Sequence, residues 1–189
     1  MNILMAGVGG QGIILASDIL AQVMLIYGYD VKKSEIHGMA QRGGSVMSHI
    51  RFSGKVFSPI ISKAQCDILV SSEEVETARY LDFLKPDASV IVNRYRLSPP
   101  SVALGADEYP DISDLILEKT PHVCFIDGND IARSLGNPRV VNTILLGFLS
   151  TLLEPDESIW EECFQTMLKG RIRDVNIQAF KAGRAAKAN

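Results

Sequence analysis

An open α/β sheet, mostly parallel, with helices on both faces and an inserted antiparallel β-hairpin, is predicted by three observations. Short β-branched runs alternate along the chain with stretches of helical period. The first run, Asn2–Ala6, passes directly into Gly7-Val8-Gly9-Gly10-Gln11-Gly12, a G-x-G-x-x-G turn at a strand-to-helix junction. Ser53-Gly54, a two-residue turn signal between Ser45–Phe52 and Lys55–Ser58, interrupts the alternation with a hairpin.

The elements follow in order. Asn2–Ala6 is strand one, and a helix runs from about Gln11 to Tyr27, where Ile14, Leu15, Ile19, Leu20 and Val23 keep a spacing of three to four. Gly28 ends it, and Asp30–Glu35 forms strand two. After the hairpin, Asp67–Ser71 and Ser89–Asn93 are β-branched runs of the kind buried in parallel sheets. Between them Glu73–Leu84 reads as a helix stopped by Pro86, and His122–Ile126 is a further strand. Asn137-Pro138 opens an apolar helix, Asn as N-cap and Pro at the first helical position. A last amphipathic helix spans roughly Glu157–Leu168, and the Ala/Lys-rich stretch after Phe180 is expected to fray. The chain reads as one domain over residues 1–183, with 184–189 a frayed tail.

Composition excludes several functions. Net charge is −3 with both signs interspersed, which argues against a nucleic-acid binder. The apolar segment Val140–Leu153 is too short for a bilayer and carries Asn142, Thr143, Ser150 and Thr151, so it is expected as a buried helix. No basic region precedes an apolar run at the N-terminus, so no signal peptide is expected. Cys66, Cys124 and Cys163 are odd in number and far apart, the usage of a reducing cytoplasm. With no C-x-x-C pair, neither an iron–sulfur cluster nor a zinc site is expected in this chain.

Chemistry concentrates between strand two and the hairpin, in Ser34-Glu35-Ile36-His37-Gly38-Met39-Ala40-Gln41-Arg42-Gly43-Gly44-Ser45. Loops at the carboxyl edge of an open α/β sheet bind ligands. Here an acid, an imidazole, an amide and a guanidinium stand among glycines. Arg42 could pair bidentately with a carboxylate or phosphate, and His37 could donate a hydrogen bond or move a proton. Equally, Arg42 and Glu35 could form a structural ion pair with His37 capping the loop. The glycine turn is open in the same way: Gly7, Gly9, Gly10 and Gly12 could admit a phosphate at the helix N-terminus or serve packing alone. Glu35 stands where the ribose-binding acid of a dehydrogenase is expected, which keeps a stand-alone NAD- or ATP-binding protein in view. Against a dehydrogenase, no second substrate domain and no proton-relay pair are found; an adenylating enzyme would need a nucleophilic or partner-binding cysteine, for which Cys124 in a strand is poorly placed, and no thiamine-diphosphate signature is present. His49 alternates with Met47 and Arg51 and is expected to be packed or at the surface rather than catalytic, and His122 carries no functional reading.

The glycine turn, the Glu35–Ser45 block and Gly136-Asn137-Pro138-Arg139-Val140-Val141-Asn142 together resemble the gamma-type, Rossmann-like domain of 2-oxoacid:ferredoxin oxidoreductases. The His-Gly-Met-Ala-Gln-Arg-Gly-Gly form is most like that of the indolepyruvate class, whose counterpart is the beta subunit. The likeness covers roughly Met1 to Gly183, and the second block is its most specific part. The resemblance implies a non-cluster subunit of a cytoplasmic complex that oxidatively decarboxylates an aryl 2-oxoacid, with coenzyme A as acyl acceptor and ferredoxin as electron acceptor. Thiamine diphosphate and [4Fe–4S] clusters would sit on a larger alpha subunit, with no cofactor held tightly by this chain. Pyruvate, 2-oxoglutarate and branched-chain oxoacids remain alternative substrates. The resemblance puts Glu35, His37, Gln41, Arg42, Gly43 and Gly44 in a loop facing substrate, coenzyme A or the partner, and assigns none of them a catalytic role.

Overall fold

The computed structural model describes residues 1–38, 43–98, 102, 104–105, 109 and 111–187. Six strands form one sheet in the order β2-β3-β1-β4-β5-β6: β1 Asn2–Val8, β2 Asp30–His37, β3 Ser45–Ser53, β4 Cys66–Ser71, β5 Leu84–Asn93 and β6 Val123–Ile126. β1, β4, β5 and β6 run parallel, and β3 lies antiparallel between β2 and β1. Seven helices are described: α1 Ile13–Tyr27, α2 Glu74–Arg79, α3 Ser113–Lys119, α4 Gly128–Ser134, α5 Val141–Ser150, α6 Glu157–Met167 and α7 Gly170–Arg184.

Alternation along the strands sends side chains to two cores. In β1, Ile3 and Met5 face α1, α5, α6 and α7, while Leu4 and Ala6 face the side of Leu81, Ile112 and Ile116. Both faces are therefore covered, as the β-branched runs require. From β1 the chain crosses by α1 toward β2, and from β4 by α2 toward β5, on the opposite face and in the opposite direction. Their carboxyl ends diverge there, which is where an open α/β sheet leaves a crevice.

Four expectations need correction. The antiparallel hairpin is β2–β3, and Lys55–Ser58 is a strap rather than a strand. Val56 and Ile61 plug the core at its ends, Val56 N–H donates to Asp30 Oδ2 (2.9 Å), and Arg51 Nη1 donates to Ser58 O (2.9 Å) and Ile60 O (3.2 Å). These bonds take the strap's polar groups, and Pro59 has no N–H for a ladder. The Glu73–Leu84 helix stops at Arg79. Its last residues form a 3-10 turn, Leu81–Phe83, and β5 carries Pro86 through an irregular stretch where Cys66 pairs with Leu84 but Ile68 with Ser89. α6 is not the last helix, because α7 follows it. Nor does the chain fray at Phe180: Phe180 and Gly183 are buried, and α7 runs to Arg184. α3 and α4 were not anticipated.

α5 begins as expected, with Pro138 opening a 3-10 turn and the Asn137 side chain accepting from Arg139 N–H at 3.0 Å. It crosses α7 backbone to backbone at Gly147 and Gly183. Thr143 Oγ1 donates to Asn176 Oδ1 (2.5 Å) and Arg184 Nη1 to Ser150 Oγ (2.7 Å) on either side of that crossing. Of the two positions open to His49 the packed one is found, and its Nδ1 accepts from Ile61 N–H at 3.2 Å. Among the described residues no helix is long and apolar enough to cross a membrane.

Candidate functional site

The glycine turn is built by its neighbours. Gln11 folds back so that its Oε1 accepts from Val8 N–H (2.7 Å) and from Ser72 Oγ–H (2.5 Å). That pair fills the space beside Gly7, where an added Cβ would lie 2.1 Å from Ser72 Oγ and 2.9 Å from Gln11 Oε1. Gly7 is thus glycine for room. Gly10, at φ 103°, is glycine for backbone conformation. Gly12 is glycine for both reasons: its φ is 76°, and a Cβ would meet Asn142 Nδ2 at 2.6 Å. Asn142 donates to Gly12 O at 3.0 Å, so the third sequence block is pinned to the first.

The second block joins the same turn. Gly9 N–H donates to Gly44 O (2.8 Å) and Gly43 N–H to Gly9 O (3.4 Å), extending the β1–β3 ladder into the glycine turn. Ser45 bonds the Glu76 carboxylate and Tyr80 OH (2.8 Å), fixing the hairpin tip to α2. Three stretches far apart in sequence meet at the carboxyl edge of the sheet. Gln41 and Arg42 lie outside the described residues.

Glu35 and His37 are brought together, His37 Nε2 standing 3.1 Å from Glu35 Oε2. The other Glu35 oxygen is held by Lys33, which also bonds Asp18 of α1. Burial opposes the Lys33 charge, but the bonds from Asp18 and Glu35 outweigh it and hold its pKa above the ordinary value. One Glu35 oxygen is taken by Lys33 and the other faces His37, so the acid is tied into a side-chain network on β2 and α1.

Two cavities flank the turn. The first, about 890 Å³, runs between the turn and the ends of β2 and β3 and is lined chiefly by Val8, Ile13, Ile14, Leu15 and Val46, with Asp18 and His37 as its polar side chains. The second, about 280 Å³, lies over the carboxyl ends of β1, β4 and β5 and is polar. Gln11, Ser72, Asn93, Tyr95, Asn129 and Arg139 line it. Asn93 is locked there, donating to Ser72 O and Asn129 Oδ1 (both 3.1 Å) and accepting from Gly128 N–H (3.1 Å). Arg139 is exposed, and among the described residues its guanidinium has no carboxylate partner. Sequence reasoning missed Ser72, Asn93 and Asn129. The signal was a polar residue closing each β-branched run, just where strand ends meet ligands.

Burial pushes the Cys66 and Cys163 thiols up to about 12 and raises that of Cys124, so none is a ready thiolate.

Residues 2–186 match the family described as pyruvate ferredoxin/flavodoxin oxidoreductase. The chain belongs to that family. It is 36% identical over 188 residues to the indolepyruvate oxidoreductase subunit IorB of Archaeoglobus fulgidus, covering 97% of this chain and 93% of the relative. It is 34% identical to the same subunit of Thermococcus kodakarensis, covering 98% and 96%. In fold it is similar to the gamma subunit of a keto/oxoacid ferredoxin oxidoreductase from Geobacter sulfurreducens, with TM-score 0.71, 24% identity and coverage of 96% and 95%. It is also similar to part of the 2-oxoglutarate:ferredoxin oxidoreductase of Magnetococcus marinus, with TM-score 0.76, 22% identity and coverage of 98% of this chain but 30% of that one. A domain of this fold thus occurs both as a separate subunit and as a segment of a longer chain.

Proposed function

We propose that this chain, as one gamma-type domain over residues 1–183, is the small subunit of a cytoplasmic complex that oxidatively decarboxylates aryl 2-oxoacids of the indolepyruvate class. The products are acyl-CoA and CO2, with electrons passed to ferredoxin. One observation carries the reading: the likeness to indolepyruvate oxidoreductase subunits, 33–36% identity over nearly the whole length, runs through the three blocks that meet at the glycine turn. Thiamine diphosphate and [4Fe–4S] clusters belong to the larger subunit, and the buried thiols of this chain support that division. Thiamine diphosphate supplies the carbanion chemistry of the decarboxylation; this chain binds, orients and excludes water.

Within that role the polar cavity suits the anionic part of coenzyme A. Among the described residues Arg139 offers a guanidinium free of carboxylates, and Gln11, whose oxygen is already occupied by two donors, turns its amide N–H₂ away from them. Arg42 supplies a second positive charge, toward the 2-oxoacid carboxylate or a coenzyme A phosphate. In the assembled complex Arg139→Ala is expected to raise KM for coenzyme A about tenfold, the loss of one charge-assisted contact. Arg42→Ala is expected to raise KM for coenzyme A or for the 2-oxoacid. Steady-state kinetics with each substrate varied in turn checks both, and an unchanged profile in an intact complex would contradict these roles. The function itself is tested by an oxoacid panel on the purified complex. Preference for indolepyruvate over pyruvate, 2-oxoglutarate and branched-chain oxoacids supports it, and preference for any of those reassigns the substrate.

A further inference from the structure

The edge of the sheet opposite the glycine turn carries a knob and a hole. The chain enters β1 and β2 and leaves β3 at this edge, beside the last residues of α1 and α5. Phe57 of the strap is 90% exposed, the most exposed large apolar side chain among the described residues. It is held out between two anchors. Val56 before it is buried and donates its N–H to Asp30 Oδ2 (2.9 Å), and Ser58 O after it accepts from Arg51 Nη1 (2.9 Å). A ring fixed in this way loses little backbone freedom when a partner covers it, and such rigid aromatic anchors dominate interfaces.

The hole, about 340 Å³, is walled chiefly by Met1, Tyr29, Phe52, Leu152, Leu153 and Pro155. That volume is at the small end of ligand-sized clefts and admits a single ring. Tyr29 stands 5.7 Å from Tyr27 and 5.4 Å from Phe52 between ring centroids, both pairs tilted, so an entering ring meets aromatic surface it can pack against. Met1, Tyr27 and Leu152 leave further apolar surface exposed around the opening. Charge is arranged in the same way. Lys55 stands beside the knob and Glu154 at the rim of the hole, and among the described residues neither is in a salt bridge.

Knob and hole adjoin on one surface and are complementary in both polarity and charge, so the patch is complementary to itself. That is the requirement of a two-fold interface, in which each contact is made twice. We propose that this amino edge pairs two copies of the chain, Phe57 of each seated in the hole of the other and Lys55 of each facing the other's Glu154. Both cavities beside the glycine turn lie at the opposite edge of the sheet and stay open in such a pair. The pairing is independent of the function proposed above.

Sedimentation velocity of the full-length chain over a concentration series tests it, and the wild type is expected to sediment as a dimer. Phe57→Ser changes a side chain that the fold leaves in solvent. It is expected to raise the dimer dissociation constant about a hundredfold while the circular dichroism spectrum stays as in the wild type. Lys55→Glu is expected to weaken the dimer about tenfold, and Lys55→Glu combined with Glu154→Lys to restore it. Phe57→Cys combined with Leu152→Cys is expected to give a disulfide between copies, in the chain alone and in its purified complex. A wild-type chain that sediments as a monomer overturns the inference, as does a Phe57→Ser chain that remains a dimer. A monomeric wild type whose Phe57→Ser variant no longer joins the larger subunit also overturns it, and gives the hole to that subunit.

Discussion

Gly183→Ala is expected to destabilise the chain by about 3 kcal/mol, lowering Tm by about 6–12 °C. α5 and α7 cross so closely that a Cβ at Gly183 would lie 2.0 Å from Ile144 O and 2.8 Å from Ile144 C. Gly147 on the other helix is its counterpart, with a Cβ 2.1 Å from Phe180 O. The obstacle in both cases is backbone, which no rotamer change can clear, so the helices must separate. Separation would open the stack of Trp160, Phe164 and Phe180, whose ring centroids lie 5.2–5.3 Å apart at its two contacts. It would also break the Thr143–Asn176 and Ser150–Arg184 bonds. Gly54→Ala is the control, because nothing lies within 4 Å of its added Cβ. Thermal unfolding followed by circular dichroism reads both variants. A Gly183→Ala chain melting with Gly54→Ala would show that α7 does not dock as described.

The second large effect is at the turn. Gly7→Ala is expected to cost about 2–3 kcal/mol and to abolish most activity of the complex, because its Cβ must expel Ser72 Oγ or Gln11 Oε1. Expelling either breaks the pair that closes the turn, and displacing Gln11 also leaves Val8 N–H without its acceptor. Ser72→Ala removes the nearest obstacle. Combined with Gly7→Ala it is expected to recover part of the stability, a coupling measured by a double-mutant cycle. Strict additivity of the two substitutions would contradict the packing role given to Gly7.

The contrast between these glycines explains what a sequence can disclose. The turn was legible because Gly10 and Gly12 need left-handed backbone and because the motif stands at a strand-to-helix junction. α1 was legible from its period, and β1, β4 and β5 from their short apolar and β-branched runs. α7 was not, because its packing surface consists of Asn176, Ala179 and Gly183 as much as Phe180, and a periodicity that counts apolar residues passes over glycine and asparagine. The hairpin was assigned to the wrong pair of strands because Ser53-Gly54 is a turn signal whichever way the chain continues. What decides is Arg51 taking the strap's carbonyls. In the site, the loop from Glu35 was legible as a concentration of chemistry, while Lys33 and Asp18 were not. They meet only when β2 lies beside α1.

The proposed function makes this chain a working part only of a larger thiamine- and iron-containing enzyme. It is tested most directly by purifying the tagged chain anaerobically from its own cells. The eluate is assayed for iron, thiamine diphosphate and coenzyme A-dependent reduction of ferredoxin by indolepyruvate, alongside the chain alone. A larger subunit carrying both cofactors, co-eluting in an active fraction while the isolated chain is inert, is the predicted result. The chain eluting alone and binding NAD or ATP would contradict it.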